Sequence, residues 1–108
     1  MIIGVGCDIV AINRVKDKMC NRILSSNELE LYNSFTSSTR KNEFLAGRFA
    51  AKEAISKAIT NFNIVFSAID ITYLNNKPHY ELDGYIIHLS ISHEREYACA
   101  YVLVESNV

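Results

Sequence analysis

The stretch from Glu43 to Thr60, EFLAGRFAAKEAISKAIT, decides the fold that this sequence of 108 residues predicts. It contains no proline and one glycine and is rich in alanine, so its intrinsic propensity favours an α-helix. At roughly 100° per residue, one arc of that helix carries only small side chains: Ala46, Gly47, Ala50, Ala51, Ala54 and Ala58. Such an arc allows another backbone to approach closely. Large apolar residues cover much of the remainder, which predicts a helix buried on more than one side.

Two charged residues, Glu53 and Lys57, lie one helical turn apart at the edge of this small-residue arc. Charged side chains are rarely placed against a packed face without a partner or a ligand. The pair therefore indicates either a ligand-binding site or a simple ion pair between residues i and i+4. An ion pair of that kind stabilises a helix by only about 0.2–0.5 kcal/mol.

The composition narrows the class of protein. With 49% apolar and 21% charged residues, the chain is globular and predicts a single domain over residues 1–108. No apolar run approaches the roughly 20 residues of a membrane span, and the start MIIGVGCDIV lacks the features of a signal peptide. We therefore expect a cytoplasmic protein without membrane association.

Charge is unevenly distributed along the chain. The net charge is −1, yet residues 40–57 hold five basic and two acidic residues. A locally basic helix in a slightly acidic protein favours a small anionic ligand over nucleic acid, whose binders are usually basic overall.

Three cysteines, Cys7, Cys20 and Cys99, are odd in number and form no CxxC pair. This pattern predicts free thiols rather than a disulfide framework or a zinc site. Because Cys7 and Cys99 lie in apolar, strand-like runs, we expect those thiols to be buried.

The amino-terminal stretch from Ile2 to Val10 alternates as a β-strand. One face carries large apolar side chains and Cys7, whereas the other carries Gly4, Gly6 and Asp8. Glycines within a strand often mark the close approach of another backbone or a ligand, and the small-residue arc of the helix is a natural partner. Asp8 either merely ends the strand or caps the next segment, or it lies beside cleared space.

If strand and helix pack in this way, Asp8 and Glu53 approach each other from different elements. Paired carboxylates with an open face are typical of Mg²⁺ sites, because Mg²⁺ keeps several waters and takes further oxygens from a phosphate. Lys57 would then reach the same phosphate.

A basic pattern follows the strand. Between Asn13 and Ile23, which we expect to be partly helical, Arg14, Lys18 and Arg22 recur every four residues. On one helix they would share a face. That face is either solvated, the usual meaning of such spacing, or a docking surface for an acidic partner.

Helix-start signals come next. Ser25 and Glu28 form an S-x-x-E capping box, which predicts a short helix from Glu28 to Phe35. Thr36 to Thr39 then form a loop that can cap the central helix. Arg40 and Lys41 at that helix amino terminus predict an anion site.

Beyond Asn61 the sequence changes to strands rich in β-branched and aromatic residues. The predicted strands are Ile64–Leu74, His79–Leu82, Tyr85–Ser92 and Tyr97–Glu105, and the turns are Asn75–Pro78, Asp83–Gly84 and His93–Glu96. We expect Pro78 to end strand pairing at its turn. A strand, then helices, then antiparallel strands predicts an α+β fold in which an antiparallel sheet packs against the long central helix.

Four segments of the chain resemble those of a known family, the holo-acyl-carrier-protein synthases, which are small bacterial 4′-phosphopantetheinyl transferases. The matching segments are Gly4–Ile9 (GVGCDI), Arg40–Ala54 (RKNEFLAGRFAAKEA, with Lys57 beyond it), Asn76–Pro78 (NKP) and Ser90–His93 (SISH). They occur in the family's order and span residues 2–104. The long helix segment is the most specific of them.

The resemblance implies the family's fold and a reaction. Phosphopantetheine would move from coenzyme A to a serine hydroxyl of apo acyl carrier protein, releasing adenosine 3′,5′-bisphosphate, in support of fatty acid biosynthesis. It implies that Asp8 and Glu53 hold Mg²⁺ and that Lys57 contacts the phosphates, which agrees with the charge development such a reaction must stabilise. It also implies a homotrimer with active sites between subunits.

The resemblance also assigns roles to other residues. Lys41, Arg48 and His93 would contact the coenzyme, although a single histidine at a strand end is more often structural. Arg14 and Arg22 would pair with the acidic helix of the carrier. The segment after the central helix, residues 58–63, lacks the glycine that the family often has near the coenzyme.

Two other functions remain open at the level of sequence. A Mg²⁺-dependent phosphohydrolase acting on a nucleotide or on coenzyme A would use the same carboxylates and Lys57 but direct water at phosphorus. A binding or structural module would need Glu53 and Lys57 only as an ion pair.

Overall fold

In the computed structural model, which describes all 108 residues, an antiparallel sheet packs against one long helix. The helices are α1 (Cys20–Ile23), α2 (Ser26–Ser34) and α3 (Ser38–Ala58), and the strands are β1 (Ile2–Ala11), β2 (Thr72–Leu74), β3 (Lys77–His79), β4 (Tyr85–His93) and β5 (Tyr97–Ser106). The main sheet has the order β1-β5-β4, and β2 and β3 form a separate hairpin. The predicted α+β fold with a long central helix is confirmed.

Helix α3 is 21 residues long and starts earlier than predicted. The side chain of Ser37 accepts a hydrogen bond from the backbone N–H of Arg40 at 3.2 Å, so the cap lies inside the predicted loop. Ser38 and Thr39 therefore belong to the first helical turn. The small-residue arc is buried within the chain itself, with Ala46, Ala50 and Ala54 fully inaccessible to solvent.

The glycines of β1 meet this arc, as the sequence predicts. A Cβ atom built on Gly4 would lie 1.9 Å from the carbonyl oxygen of Ala58, and one built on Gly6 would lie 2.0 Å from that of Ala54. Any side chain at either position would collide with helix backbone. The two glycines thus allow β1 and α3 to touch backbone to backbone, with Asp8 on the same inner face of the strand.

The outer face of the sheet is apolar and exposed. Ile3, Val5 and Ile9 are 48%, 54% and 65% exposed, and Tyr101 on the neighbouring β5 is 48% exposed. Cys7 lies on this face and is also exposed. The three thiols are free, as predicted, but the expected burial is wrong, because the odd-numbered residues of β1 point away from the helix.

The segment before β2 is not the long strand that its β-branched residues predict. Only Thr72–Leu74 is a strand, and Phe66–Ala68 forms a 3₁₀ turn. Ile69 and Ile71 are buried in the core, with 0% and 3% exposure. The apolar residues here serve as separate anchors of an irregular segment that crosses the helix, so their β propensity is overridden by tertiary packing.

The β2–β3 hairpin turns at Asn75 and Asn76, both with positive φ. Pro78 does not end pairing, contrary to the prediction, because it lies in β3 opposite Tyr73. Leu74 and Lys77 form the pair that closes the turn. In the next pair, Tyr73 and Pro78, the N–H groups point away from the partner strand, so a proline is tolerated there. The predicted strand His79–Leu82 shrinks to His79 at the end of β3 and an isolated bridge from Leu82 to Tyr85 across the Asp83–Gly84 turn.

The segment from Asn13 to Ile23 is not one helix. It consists of two 3₁₀ turns, Ile12–Arg14 and Asp17–Met19, followed by α1. Arg14, Lys18 and Arg22 are therefore exposed on three different pieces, and the predicted common helical face does not exist. Burial of Val15 and Ile23, each 3% exposed, fixes this path over the core.

Candidate functional site

Asp8 and Lys57 meet where β1 passes α3. The Lys57 ammonium donates hydrogen bonds to Asp8 Oδ1 at 2.9 Å and to the backbone carbonyl oxygen of Cys7 at 3.1 Å. The Asp8 side chain is 16% exposed and that of Lys57 is 53% exposed. The hydrogen bond to Asp8 and the charge of its carboxylate raise the pKa of Lys57, so the side chain is charged at neutral pH.

Glu53 belongs to the same cluster. Its negative charge adds to the rise in the pKa of Lys57, which places the carboxylate within electrostatic reach of that ammonium. The half-buried Glu53 carboxylate makes no hydrogen bond or ion pair with another side chain. Two carboxylates from different elements therefore act on the same ammonium: Asp8 is bound to it, and Glu53 is free of other side-chain partners.

A divalent cation fits this donor set. A closed structural metal site is usually built from four protein ligands. No group of three or more histidine, cysteine or carboxylate side chains comes together anywhere in the structure, so this pair is not part of a site of that kind. Mg²⁺ is commonly held by one or two carboxylates together with waters and substrate phosphates. Asp8 and Glu53 would be the protein ligands of such an ion.

A second cluster of charges lies towards the amino-terminal half of α3, around a cavity of about 190 Å³. Its charged lining residues are Arg40, Glu43, Arg48 and His93. Arg48 is only 4% exposed, and its guanidinium lies between two aromatic rings, 4.5 Å from the centre of Phe44 and 5.2 Å from that of Tyr73. Its Nε and Nη2 are both buried without a hydrogen-bond partner, which is costly unless a ligand supplies an acceptor.

His93 and Lys41, both predicted to contact a coenzyme, are placed differently. His93 ends β4 on the cavity wall, with Nδ1 3.6 Å from Glu43 Oε2. Lys41 does not line the cavity, because its ammonium lies 4.7 Å from the centre of the Tyr32 ring. Arg40, one residue earlier, borders the cavity and lies 4.6 Å from the centre of Phe35.

The predicted carrier-binding residues, Arg14 and Arg22, are exposed and form no ion pair. The structure does not bring them onto one helix. Asp17 lies between them in the chain and accepts a hydrogen bond at 2.6 Å from the hydroxyl of the buried Tyr32. That bond ties the irregular segment to α2.

Sequence reasoning missed a buried charge network beneath the second cluster. Glu28, treated only as half of a capping box, is 2% exposed and pairs with both Arg48 and Lys52. Lys52 is fully buried and also donates to the carbonyl oxygens of Ile23 at 2.7 Å and Phe66 at 3.0 Å. Burial lowers the pKa of Lys52, opposed by the charge of Glu28. The spacing of Arg48 and Lys52, one turn apart on an alanine-rich helix, is the only local signal of this network.

None of the helices combines the length and apolar character that a membrane crossing requires.

Comparison with known proteins gives a consistent picture. A family model for the 4′-phosphopantetheinyl transferase superfamily matches residues 4–102. A holo-[acyl-carrier-protein] synthase of Staphylococcus aureus is 43% identical, with 99% of this chain and 98% of that protein aligned.

Solved structures agree with the sequence relatives. The crystal structure of a holo-(acyl-carrier-protein) synthase from Bacillus anthracis in complex with CoA (3′,5′-ADP) superposes with a TM-score of 0.91 at 41% identity, covering 99% of both chains. That of Helicobacter pylori holo-[acyl-carrier-protein] synthase in complex with coenzyme A gives a TM-score of 0.77 at 32% identity, covering 94% of this chain and 99% of that one.

Proposed function

Because the chain belongs to the 4′-phosphopantetheinyl transferase superfamily, we propose that it transfers phosphopantetheine from coenzyme A to a serine of apo acyl carrier protein. The observation that carries the proposal is the cluster of Asp8, Glu53 and Lys57 at the contact between β1 and α3. The carrier would supply fatty acid biosynthesis in the cytoplasm. No feature of the site favours the phosphohydrolase that sequence alone left open.

The reaction needs a charge-neutralising site for a pyrophosphate. In the transfer, the serine oxygen forms a bond to the pantetheine-side phosphorus while the bond to the other phosphate breaks, and adenosine 3′,5′-bisphosphate leaves. Mg²⁺ bound by Asp8 and Glu53 would supply Lewis-acid stabilisation of the charged oxygens.

The chain's own residues have distinct tasks in this mechanism. Lys57 is charged and half-exposed, so it can turn from Asp8 to a phosphate oxygen when the coenzyme binds. Glu53, proposed as a metal ligand and without a partner among the protein's own side chains, also takes up the serine proton by way of a water. Asp8, fixed in the sheet opposite Ala100, orients the site.

The second cluster is proposed to hold the nucleotide part of coenzyme A. Glu28 is the only anion that forms an ion pair with the buried cations Arg48 and Lys52, while Glu43 on the cavity wall and Asp70 near Lys52 add further negative charge. The feature that favours a phosphate here is therefore the guanidinium of Arg48, whose Nε and Nη2 have no hydrogen-bond partner. Arg40 and His93 on the cavity wall add further donors, and Lys41 would contribute only after leaving the Tyr32 ring.

We further propose a homotrimer with active sites between subunits, supported by two observations. Arg48 and Lys57 are nine residues apart on α3, about 13.5 Å along its axis and on opposite sides of the helix, so one chain does not present both clusters to the same ligand. In addition, the apolar outer face of β1 and β5 is exposed. The burial of α3 on more than one side gives no argument for assembly, because this helix is buried within one chain.

Light scattering after size-exclusion chromatography tests the assembly. Three times the 12.2 kDa of one chain is expected for the wild type, and a smaller mass for Val5→Asp, which places a charge on the exposed face. A monomeric wild type would refute the trimer.

Intact-mass spectrometry tests the activity. Apo acyl carrier protein incubated with coenzyme A, Mg²⁺ and the wild type should gain one phosphopantetheine group, whereas Asp8→Asn and Glu53→Gln should abolish the gain. Cleavage of coenzyme A without a change in carrier mass would instead establish a hydrolase. Arg14→Glu and Arg22→Glu should raise the carrier KM more than the coenzyme KM, since we assign both residues to docking.

A further inference from the structure

Glu28 holds two cations with different oxygens of one carboxylate. Oε1 accepts from the backbone N–H of Ser25 at 2.8 Å and from Lys52 Nζ at 2.5 Å. Oε2 lies 3.2 Å from Arg48 Nε and accepts from the backbone N–H of Ile71 at 3.3 Å. The carboxylate therefore joins the start of α2, two turns of α3 and the segment leading into β2.

Arg48 depends on this carboxylate for its orientation. The rings of Phe44 and Tyr73 lie against the guanidinium, and such contacts do not by themselves fix the direction of its N–H groups. The contact with Glu28 is its only ion pair. It brings Glu28 Oε2 beside Nε without forming a hydrogen bond, and both Nε and Nη2 are buried without a hydrogen-bond partner on a residue that lines the cavity.

We propose that Glu28 is a positioning residue for the coenzyme: through Oε2 it fixes the guanidinium of Arg48 in the orientation that receives a coenzyme phosphate. The inference rests on the proposed function, because it takes the cavity beside Arg48 to bind coenzyme A. Glu28 does not touch the coenzyme itself. Its capping-box bond and its bond to Lys52 have a separate, structural effect through Oε1.

The substitution Glu28→Gln separates these two effects. The amide oxygen will occupy the position of Oε1, because the backbone N–H of Ser25 and the ammonium of Lys52 both need an acceptor there. The amide NH₂ therefore takes the place of Oε2. There it faces the guanidinium of Arg48, donor against donor. Arg48 should then lose its anchor while the cap of α2 is kept.

Lys52→Met is the matched control. It breaks the same network on the Oε1 side, leaves the contact of Oε2 with Arg48 intact, and removes a side chain that does not line the cavity. Both variants are expected to unfold at a lower temperature than the wild type, since each leaves a buried charge without its partner.

Calorimetric titration with coenzyme A provides the test. We expect Glu28→Gln to weaken binding on the order of tenfold, since it removes the close ion pair that orients Arg48, and Lys52→Met to change it less than threefold. The KM for apo carrier, measured at saturating coenzyme A, should be unchanged in Glu28→Gln. Equal coenzyme affinity in folded Glu28→Gln and wild type would overturn the positioning role and leave the proposed function intact.

Two further outcomes are decisive. If Glu28→Gln does not fold, the double variant Glu28→Gln/Lys52→Met removes the opposed charges together, and its affinity is compared with that of Lys52→Met alone. A tenfold loss in the double variant supports the role, and equal affinities overturn it. Failure of the wild type itself to bind coenzyme A would overturn both the proposed function and this inference.

Discussion

Gly6→Ala tests whether the glycine face of β1 sets the geometry of the metal and phosphate site. The added Cβ would lie 2.0 Å from the carbonyl oxygen of Ala54, and ordinary van der Waals contact begins at 3.4 Å, so strand and helix must separate by about 1.4 Å. The obstacle is helix backbone, which cannot rotate out of the way as a side chain can. The strand carries Asp8 and the helix carries Glu53 and Lys57, so the same separation acts directly on the site.

The expected loss has two parts. Overpacking of this kind typically costs about 1–3 kcal/mol of unfolding free energy. A displacement of about 1 Å at a reacting group can cost on the order of 100-fold in rate, and the separation here is larger. Activity should therefore fall further than the population of folded protein.

The assay is urea unfolding followed by the initial rate of carrier modification at saturating coenzyme A and Mg²⁺. Gly47→Ala, where the same helix meets β4, is the control for the unfolding measurement only, because Gly47 also lines the second cavity; its Cβ would meet just the Cγ2 of the Ile91 side chain, at 3.1 Å. Replacing glycine with alanine inside a helix gains about 0.8–1.0 kcal/mol, which should offset that tight contact. If Gly6→Ala unfolds within about 0.5 kcal/mol of the wild type and keeps its rate, the backbone contact does not set the site.

Three other predictions follow from single contacts. Lys57→Met should strengthen Mg²⁺ binding, measured by calorimetry without coenzyme A, because it removes the ammonium that is bound to Asp8. The same variant should raise the coenzyme KM. Weaker Mg²⁺ binding would contradict the idea that Lys57 and Mg²⁺ compete for Asp8. Burial and the hydrogen bond to Asp17 raise the pKa of Tyr32 above its ordinary 10.0, so the folded chain keeps a proton that the unfolded chain loses. The free energy of unfolding should thus fall as pH rises above about 10. Tyr32→Phe should make this pH dependence weaker and should lower the free energy of unfolding by about 1 kcal/mol at neutral pH. An unchanged pH dependence in the variant would contradict the role assigned to Tyr32. Ser25→Ala should lower the free energy of unfolding by about 0.5–2 kcal/mol in urea titrations, since it removes the cap of α2 and the bond to Asp70; an unchanged midpoint would refute this.

The features that sequence predicted well are those with a local signal. Alanine-rich composition and absence of proline predicted α3, and the alternation of Gly4, Gly6 and Asp8 predicted both β1 and its contact with the helix. The capping box of Ser25 is also present as predicted, with the N–H of Glu28 donating to Ser25 Oγ. Each depends on residues within about one turn of each other or on a strict alternation.

The features that sequence missed depend on distant partners. The capping box gave Glu28 a sufficient local role, so nothing in the chain pointed to its pairing with Lys52, 24 residues away. The β propensity of residues 64–74 pointed to a strand, whereas the carbonyl oxygen of Phe66 accepts from the same lysine and the segment crosses the core irregularly. In both cases a buried charge determines the local backbone path.

Lys52 and Lys57 show why residue type alone cannot assign function on α3. They are five residues apart, about 140° around the helix, and both belong to the stretch that carries the family resemblance. Lys52 faces α2 and the segment before β2, where a carboxylate and two carbonyl oxygens satisfy it completely, so it has no donor left for a ligand. Lys57 faces the edge strand β1, where Asp8 and one carbonyl hold it at a half-exposed position that a phosphate can reach. The element packed against each side of the helix therefore decides which lysine is structural and which one is available for chemistry.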